Sequence, residues 1–454
     1  MAISSINPAT GETLKEFTAL AQNEIDERLN LAQQAFEHHR REPIAKRSAL
    51  MIAAAGLLEA EKKRLAKIIT LEMGKLYSAA IEEVEKCARG CRYYADNAER
   101  FLEDQTAQTS AARSFVRYEP MGAILAIMPW NFPFWQVFRF AAPVLMAGNV
   151  ALLKHAGNVP QCALAIEEIF CRAGFDKGVF QALLIEASQA EELIRDPRIK
   201  AVTMTGSDRA GSAVAAAAAR EIKKSVLELG GSDPFIVMPS ADLESAVSTG
   251  LKSRMINTGQ SCIAAKRFLV ADAVYEKYVT QYVERVRALK VGDPFDETTE
   301  IGPLATEQIL NGIHNQVQKT IAAGAKLLTG GNRIAGPGFF YEPTVLVNVP
   351  KDSPGFREEI FGPVAPIFRV RDAEEALELA NDSIFGLGAS VWTNDRKEQE
   401  LFASEVESGM VFFNSMVVSD PRVPFGGVKR SGLGRELGVF GIREFTNIKT
   451  IWIA

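Results

Sequence analysis

The chain of 454 residues contains little cysteine and little histidine, with five residues of the first and four of the second. Cys87 and Cys91 stand four apart in a helical pattern, and Cys162 and Cys171 flank another helix. These four have no Cys or His neighbours at zinc-ligand spacing, so we predict small core residues and no metal site. An odd number of cysteines spread over a long chain fits a reducing compartment better than a disulfide framework. We therefore predict a cytoplasmic protein.

The scarcity of histidine bears on nucleophilic catalysis. His38 and His39 lie in a charged helical stretch, which predicts solvated side chains. A Ser-His-Asp or Cys-His enzyme would need His155 or His314 beside its nucleophile, and nothing in their local sequence supports that role.

Long apolar runs and an excess of positive charge are also missing. The longest apolar segment, 141–153, is too short to span a bilayer and contains Pro143, Gly148 and Asn149. No basic segment leads into an apolar one at the N-terminus, so no secretory signal is predicted. A formal net charge of −5 argues against nucleic acid or an anionic membrane as a general partner.

The sequence does contain a repeated alternation of short apolar strands and amphipathic helices. Helical patterns cover 25–40 and 47–70, and residues 112–121 alternate as an exposed strand does. Strands and helices then alternate over 122–238 and again over 268–414, which is typical of parallel α/β sheets. The length predicts about three domains. We expect two unequal parallel-sheet lobes with a cleft at their junction.

A cysteine and a glutamate are the strongest chemical signals. Cys262 ends the segment Asn257-Thr-Gly-Gln-Ser-Cys262, where a small, glycine-containing approach leaves a thiol accessible. Glu228 opens Glu228-Leu-Gly-Gly231, where two glycines let a carboxylate turn or hold a water. This pair predicts covalent thiol chemistry followed by hydrolysis.

A weaker signal concerns a dinucleotide. Thr205-Gly206-Ser207 ends a predicted strand and opens a helix, so Gly206 permits the turn and Ser207 with the first helical N–H groups can receive a pyrophosphate. An ordinary strand, turn and helix with a serine cap has the same sequence pattern. The segment alone leaves both interpretations open.

Eight segments taken together, in order and spacing, resemble the aldehyde dehydrogenase superfamily over essentially the whole chain. They are Pro129-Trp-Asn-Phe-Pro133, Gly148-Asn-Val-Ala-Leu-Leu-Lys154, Thr205-Gly-Ser207, Glu228-Leu-Gly-Gly231, Gly259-Gln-Ser-Cys262, Glu359-Ile-Phe-Gly-Pro363, Asn414 and Pro424-Phe-Gly-Gly-Val-Lys-Arg-Ser-Gly432.

The resemblance implies the family's α/β fold: two parallel-sheet Rossmann-like lobes and a small β oligomerisation element. Residues 1–104 and 121–230 would form the NAD(P)-binding domain, and residues 231–432 the catalytic domain. Residues 105–120 and 433–454 would form the oligomerisation element of a homodimer or homotetramer.

The resemblance also implies a catalytic trio. Cys262 would attack an aldehyde as thiolate, and the Asn131 amide with the Cys262 N–H would stabilise the oxyanion of the thiohemiacetal. Loss of a hydride to nicotinamide would leave a thioester, which water activated by Glu228 would hydrolyse. Coenzyme-A-acylating relatives usually lack this carboxylate, so Glu228 argues against that chemistry.

For the cofactor, the resemblance implies six contact residues: Trp130, Lys154, Gly206, Ser207, Glu359 and Phe361. Family members that strongly prefer NAD commonly carry a Glu three residues after the lysine, where this chain has Gly157. Lys154 and His155 could also tolerate a 2′-phosphate. We expect NAD, with NADP as the alternative.

The substrate side resembles the succinate semialdehyde dehydrogenases of the shorter, NAD-preferring bacterial type. Trp135 and Arg139 are four apart and would share one helix face. With Ser419 and Arg422 they would bind a short aldehyde that ends in a carboxylate. A general short-chain aldehyde dehydrogenase is the alternative within the family, and a Cys-dependent hydrolase or esterase without redox function is the alternative outside it.

Overall fold

In the computed structural model, which describes residues 3–454, helices and strands alternate as the sequence pattern predicts. The first two positions of the predicted 1–104 segment lie outside the described residues. The helices are α1 (Gln22–His39), α2 (Ile44–Met73), α3 (Tyr77–Phe101), α4 (Trp135–Met146), α5 (Pro160–Arg172), α6 (Ala187–Arg195), α7 (Asp208–Arg220), α8 (Leu243–Met255), α9 (Asp272–Ala288), α10 (Glu307–Ala322), α11 (Pro354–Arg357), α12 (Ala373–Asn381), α13 (Arg396–Glu405) and α14 (Gly438–Glu444).

The strands are short, and most are buried. They are β1 (Ile3–Ile6), β2 (Thr13–Phe17), β3 (Gln105–Thr106), β4 (Arg113–Pro120), β5 (Ala123–Met128), β6 (Val150–His155), β7 (Phe180–Ala182), β8 (Ile199–Thr205), β9 (Lys224–Glu228), β10 (Pro234–Val237), β11 (Arg267–Ala271), β12 (Lys326–Thr329), β13 (Thr344–Val347), β14 (Val364–Val370), β15 (Phe385–Gly386), β16 (Gly388–Trp392), β17 (Met410–Phe413), β18 (Val428–Lys429), β19 (Gly432–Leu433) and β20 (Thr446–Ile453).

Two parallel sheets form the two lobes. The first has the order β19-β9-β8-β5-β6-β7, and the second has the order β12-β13-β14-β11-β10-β16-β17. Only the terminal strands β19 and β12 run antiparallel to their neighbours. Strands β5, β6 and β10 are apolar and buried along almost their whole length, because helices cover both faces of a parallel sheet. The two-lobe α/β fold predicted from the sequence is confirmed.

A third, antiparallel sheet stands apart from both lobes. Its order is β20-β4-β3, with Thr446 to Ile453 paired along the full length of β4. The sheet unites the two segments predicted to form an oligomerisation element. Strand β19, at the end of the predicted catalytic segment 231–432, joins the first sheet by pairing with β9. The predicted domain boundaries themselves stay a prediction.

The carboxyl ends of β5, β8 and β9 meet at one edge of the first sheet. Pro129 follows β5 directly, Gly206 follows β8, and Glu228 is the last residue of β9. Ligands of open α/β sheets bind outside such strand ends. The topology therefore places three of the sequence-predicted segments around one crevice.

Among residues 3–454, no helix is long and apolar enough to cross a bilayer.

Candidate active site

Cys262 lies where two cavities meet. A cavity of about 250 Å³, here called the strand-end cavity, is lined by Trp130, Asn131, Gly206, Ser207, Cys262, Glu359 and Phe361, among others. A cavity of about 100 Å³, here called the helix-side cavity, is lined by Trp135, Arg139, Cys262, Ser419 and Phe425, among others. Gln136 also lines both. The thiol can therefore face one ligand in each cavity.

The loop that carries Cys262 has a strained backbone. A 3-10 turn, Ile256–Gly259, precedes it, and Asn257, Thr258 and Gly259 all have positive φ angles of 54°, 57° and 75°. Non-glycine residues adopt this left-handed conformation only where surrounding contacts hold them. A Cβ on Gly259 would stand 2.2 Å from the Gly362 carbonyl oxygen, so only glycine fits there.

Buried side chains hold this loop in place. The Arg254 guanidinium donates to the carbonyls of Gly259 at 2.6 Å and Ala265 at 3.0 Å. The Gln260 amide accepts from the Ala305 N–H at 2.9 Å and donates to the Asn257 carbonyl at 3.1 Å. Satisfied polar contacts of this kind fix one conformation of a buried loop.

Asn131 lies against the same loop. Its side-chain Nδ2 donates to the Gln260 carbonyl at 3.1 Å, and its own carbonyl accepts from Asn257 Nδ2 at 2.8 Å. The side-chain nitrogen of Asn131 carries two hydrogens, and the contact with the Gln260 carbonyl uses one of them to orient the side chain. The second hydrogen remains for a ligand of Cys262.

Lys266, which the sequence analysis does not single out, supports the loop that carries Cys262. Lys266 Nζ donates to the carbonyls of Ser261 at 2.9 Å and Cys262 at 2.6 Å, and it lies 3.2 Å from Glu359 Oε1. Burial raises the pKa of Cys262 to about 11, against the charges of Arg139 and Lys266, which lower it. The thiol is therefore protonated at neutral pH in this structure.

Glu228 is buried, and it lines neither the strand-end cavity nor the helix-side cavity. A Cβ on Gly426 would meet Glu228 Oε1 at 2.7 Å, so the carboxyl points toward that glycine. Burial, and next the charge of Glu436, raise the pKa of Glu228 well above its usual range. In this position the protonated carboxyl is favoured, and the carboxyl lies outside both cavities that Cys262 lines.

Arg139 is less available to bind a substrate carboxylate than the sequence predicts. It lies buried in an ion pair with Glu436, and Nη2 donates to Thr205 Oγ1 at 3.3 Å. Its guanidinium carbon also stands 4.5 Å from the Phe425 ring centroid. Arg139 thus lines the helix-side cavity as predicted, but Glu436 compensates its charge.

Trp135 and Ser419 line the same cavity, whereas Arg422 lies elsewhere. Trp135 Nε1 donates to Ser419 Oγ at 3.1 Å, and both line the helix-side cavity. Arg422 is exposed, and its guanidinium binds Asp420 through contacts of 2.8 Å and 2.6 Å. It is absent from the cavity because this local pair turns it to solvent.

His155 is a structural residue and not part of a phosphate site. Its ring is buried, with Nε2 2.9 Å from the Pro133 carbonyl and Nδ1 3.0 Å from the Ala156 N–H. Burial lowers its pKa to about 4, so the ring is neutral. The expectation that His155 could accommodate a 2′-phosphate is wrong, because the ring is buried and its nitrogens contact the Pro133 carbonyl and the Ala156 N–H.

A cofactor fits the strand-end cavity. Ser207 caps α7, accepting from the Ala210 N–H at 3.3 Å, and the free N–H groups of the first helical turn face the strand ends. Trp130 and Phe361 pack edge to face at 5.8 Å beside this cavity. At Gly157, beyond the end of β6, no atom of residues 3–454 stands within 4 Å of where a Cβ would be.

The comparisons with known proteins agree with this geometry. The model of the aldehyde dehydrogenase family matches residues 1–451. The chain belongs to the aldehyde dehydrogenase family.

Its relatives within the family carry more specific names. A probable succinate-semialdehyde dehydrogenase [NADP(+)] of Synechocystis sp. is 56% identical over 454 residues, which is all of both chains. Succinate-semialdehyde dehydrogenase [NADP(+)] 1 of Mycobacterium tuberculosis is 54% identical, again over all of both. A crystal structure of succinic semialdehyde dehydrogenase from Streptococcus pyogenes in complex with NADP+ superposes with a TM-score of 0.97, at 37% identity and 99% coverage of each chain.

Several site residues of this family member could not be read from its sequence. Lys86 and Gln136 line the helix-side cavity, Lys266 holds the Cys262 loop, and Glu436 pairs with Arg139. Helical spacing could have suggested Gln136, next to Trp135. Lys86 and Glu436 come from distant elements and carry no local signal. Among residues 3–454, no group of three or more His, Cys, Asp or Glu side chains is placed to hold a metal ion.

Proposed function

We propose that the protein oxidises succinate semialdehyde to succinate with NADP+ as the electron acceptor. The observation that carries the proposal is the position of Cys262 at the junction of the strand-end and helix-side cavities. Cofactor and aldehyde can then approach the sulfur from different sides, as hydride transfer requires. A hydrolase without redox function would have no use for the strand-end cavity.

The first chemical step is addition of the Cys262 sulfur to the aldehyde carbon. The thiol proton passes to solvent water, a C–S bond forms as the π bond of the carbonyl breaks, and the carbonyl oxygen becomes an oxyanion. The free amide hydrogen of Asn131 and the Cys262 N–H stabilise that oxyanion. Loss of one such donor typically costs about 3 kcal/mol of transition-state stabilisation.

The bound nicotinamide supplies a hydride acceptor. Once the substrate carbon has lost its hydride, the acyl group remains on Cys262 as a thioester. Glu228 then removes a proton from water, which attacks the thioester, and the Cys262 thiolate leaves. For this step the Glu228 carboxyl has to lose its proton and turn from Gly426 toward the thioester.

NADP+ is favoured over the NAD expected from the sequence. Gly157 leaves open space where a carboxylate would repel a 2′-phosphate. Lys154 lies half-buried in β6, its pKa lowered by burial, so its ammonium gains from an anionic partner. The two relatives described above are named for NADP(+) as well.

Assembly into a homo-oligomer is part of the proposal. Strand β20 lies at the edge of its three-stranded sheet and exposes Ile448 and Trp452, at 64% and 53% of their surface. An exposed apolar edge strand is a template for pairing with another chain. We infer that a second copy covers it. A cytoplasmic location accords with the five free cysteines of the chain.

Steady-state formation of NADPH and NADH over a panel of aldehydes tests the proposed activity. Succinate semialdehyde should give the highest kcat/KM, ahead of butyraldehyde, which has the same chain length without the carboxylate. Cys262→Ala should abolish turnover. Equal kcat/KM for the two aldehydes would reduce the protein to a general aldehyde dehydrogenase, and absence of reduced cofactor with every aldehyde would refute the redox function.

A further inference from the structure

Lys86 is a cation of the helix-side cavity whose charge is not compensated. It lies half-buried on α3 and lines the cavity together with Trp135, Arg139 and Ser419. Its Nζ stands 4.3 Å from the centroid of the Trp135 ring. Among residues 3–454, no carboxylate forms an ion pair with it.

The other charges near this cavity are already paired. Arg139 has Glu436 as its partner, and Asp420 is bound by Arg422. Glu83, one turn before Lys86, is buried with Lys75 and accepts from the N–H groups of Phe134 and Trp135. An anionic ligand in the cavity therefore finds its free positive charge at Lys86.

Polar groups beside Lys86 complete a site for a carboxylate. Ser419 Oγ accepts from Trp135 Nε1, which leaves the serine O–H free to donate. The aromatic face of Trp135 supplies an apolar wall for a short carbon chain. Cys262 lines the same cavity as Lys86, so a short aldehyde bound there can contact both the thiol and the ammonium.

We propose that the Lys86 ammonium binds the carboxylate end of the substrate and thereby sets the preference for aldehydes that end in a carboxylate. The inference rests on the proposed aldehyde oxidation. It assigns to Lys86 on α3 the carboxylate binding that the sequence analysis expects of Arg139 on α4. Arg139 then acts as a positioning residue, which holds Glu436 beside Glu228.

The test compares Lys86→Met and Lys86→Arg with Arg100→Gln, which removes an exposed charge from the same helix about four turns away from Lys86. Each variant is assayed with NADP+ on succinate semialdehyde and on butyraldehyde. We expect Lys86→Met to raise KM for succinate semialdehyde by at least about tenfold, the usual effect of losing a charged hydrogen bond. KM for butyraldehyde should stay within about twofold, and both Lys86→Arg and Arg100→Gln should resemble the wild type.

The pH dependence separates a binding role from a structural one. Burial, and next the nearby charge of Arg139, lower the pKa of Lys86 to about 8. The groups that face it are Arg139 from α4, Asp420 from the loop after β17, and Glu83, Cys87 and Arg89 from α3. KM for succinate semialdehyde should therefore rise above about pH 8 as the ammonium loses its proton, and Lys86→Arg should remove this rise.

The outcomes distinguish this proposal from the one on which it rests. Wild-type preference for succinate semialdehyde with an unchanged KM in Lys86→Met would overturn the role of Lys86 alone. Equal increases in KM for both aldehydes would overturn it as well, since they indicate damage to the cavity. A wild type that does not oxidise succinate semialdehyde would overturn both proposals.

Discussion

The Arg139 guanidinium forms a buried ion pair with the Glu436 carboxylate, and both charges act on the neighbouring Glu228 carboxyl. Glu436 belongs to the C-terminal part of the chain, and Arg139 to α4, which carries the aromatic wall of the helix-side cavity. The pair thus links the helix-side cavity to the Glu228 carboxyl. The charge of Glu436 affects the pH at which Glu228 can accept a proton.

Glu436→Gln should make Glu228 a base at lower pH. The negative charge of Glu436 raises the pKa of Glu228, so its removal lowers that pKa. Activity that depends on deprotonated Glu228 rises with pH through its pKa, so the acidic limb of the kcat profile should move to lower pH. Stopped assays across the acidic range measure the shift.

Glu444→Gln is the matched control for that experiment. Glu444 also raises the pKa of Glu228, but with a weaker influence than Glu436, and it lies 3.6 Å from Lys224 in a more exposed pair. It should move the acidic limb less. Breaking a buried ion pair costs about 3–5 kcal/mol, so thermal unfolding of both variants has to be measured first. An acidic limb that stays in place in Glu436→Gln would contradict the coupling.

Gly157→Glu should reverse the cofactor preference. The new carboxylate has open space in which to stand, and its charge would repel a 2′-phosphate while it could bind ribose hydroxyls. KM for NADP+ should rise at least about tenfold, a difference of about 1.4 kcal/mol, and KM for NAD+ should fall. Gly157→Gln, which has the same size without the charge, should leave KM for NADP+ near the wild-type value. Similar effects of the two substitutions would show that size and not charge is responsible.

Gly259→Ala should distort the loop before Cys262. The alanine would need a left-handed backbone, and its Cβ would stand 2.2 Å from the Gly362 carbonyl oxygen. We expect a loss of at least about 1–3 kcal/mol in the free energy of unfolding, together with loss of activity. Gly312→Ala on α10 has no atom within 4 Å of its Cβ and should stabilise the helix by up to about 1 kcal/mol. Denaturant titrations of both variants compare them, and equal stabilities would refute the strain at Gly259.

Cys262 should react slowly with iodoacetamide at neutral pH. Burial raises its pKa to about 11, and the thiolate, which is the reactive form, appears only as pH approaches that value. The assay uses Cys171→Ala, because Cys171 is exposed while Cys87, Cys91 and Cys162 are buried. Alkylation should accelerate about tenfold per pH unit from pH 7 to 10. A rate that is already maximal near pH 7 would show that the resting thiol is ionised.

The arrangement of helices and strands could be predicted from periodicity, because both sheets are parallel and buried. The predicted helix 25–40 overlaps α1, which covers Gln22–His39, and the predicted alternation of strands and helices over 122–238 begins with β5. Strand β19 was not predicted, because two residues carry no periodic signal. Its pairing with β9 depends on contacts between segments about 200 positions apart, which local patterns do not encode.

Cys262 could be singled out as the candidate nucleophile because its signal lies in the neighbouring residues. The pairing of buried charges could not be predicted in this way. Helical spacing correctly places Trp135 and Arg139 on one cavity, but Glu436 lies far away in sequence and takes up the charge of Arg139. Arg422 follows Asp420 closely enough to pair with it, and that pair turns it away from the cavity. Lys86 was missed because nothing in α3 distinguishes it from a surface lysine.

The most direct measurement is a single-turnover experiment on Glu228→Gln with succinate semialdehyde and NADP+. This variant keeps the thiol and both cavities but lacks the base for hydrolysis. We predict a burst of one NADPH per active site, then arrest, with one succinyl group attached to the peptide that contains Cys262 in the mass spectrum. Cys262→Ala should give no burst. Continued turnover of Glu228→Gln at the wild-type rate without an acylated cysteine would contradict the proposed thioester and the role of Glu228.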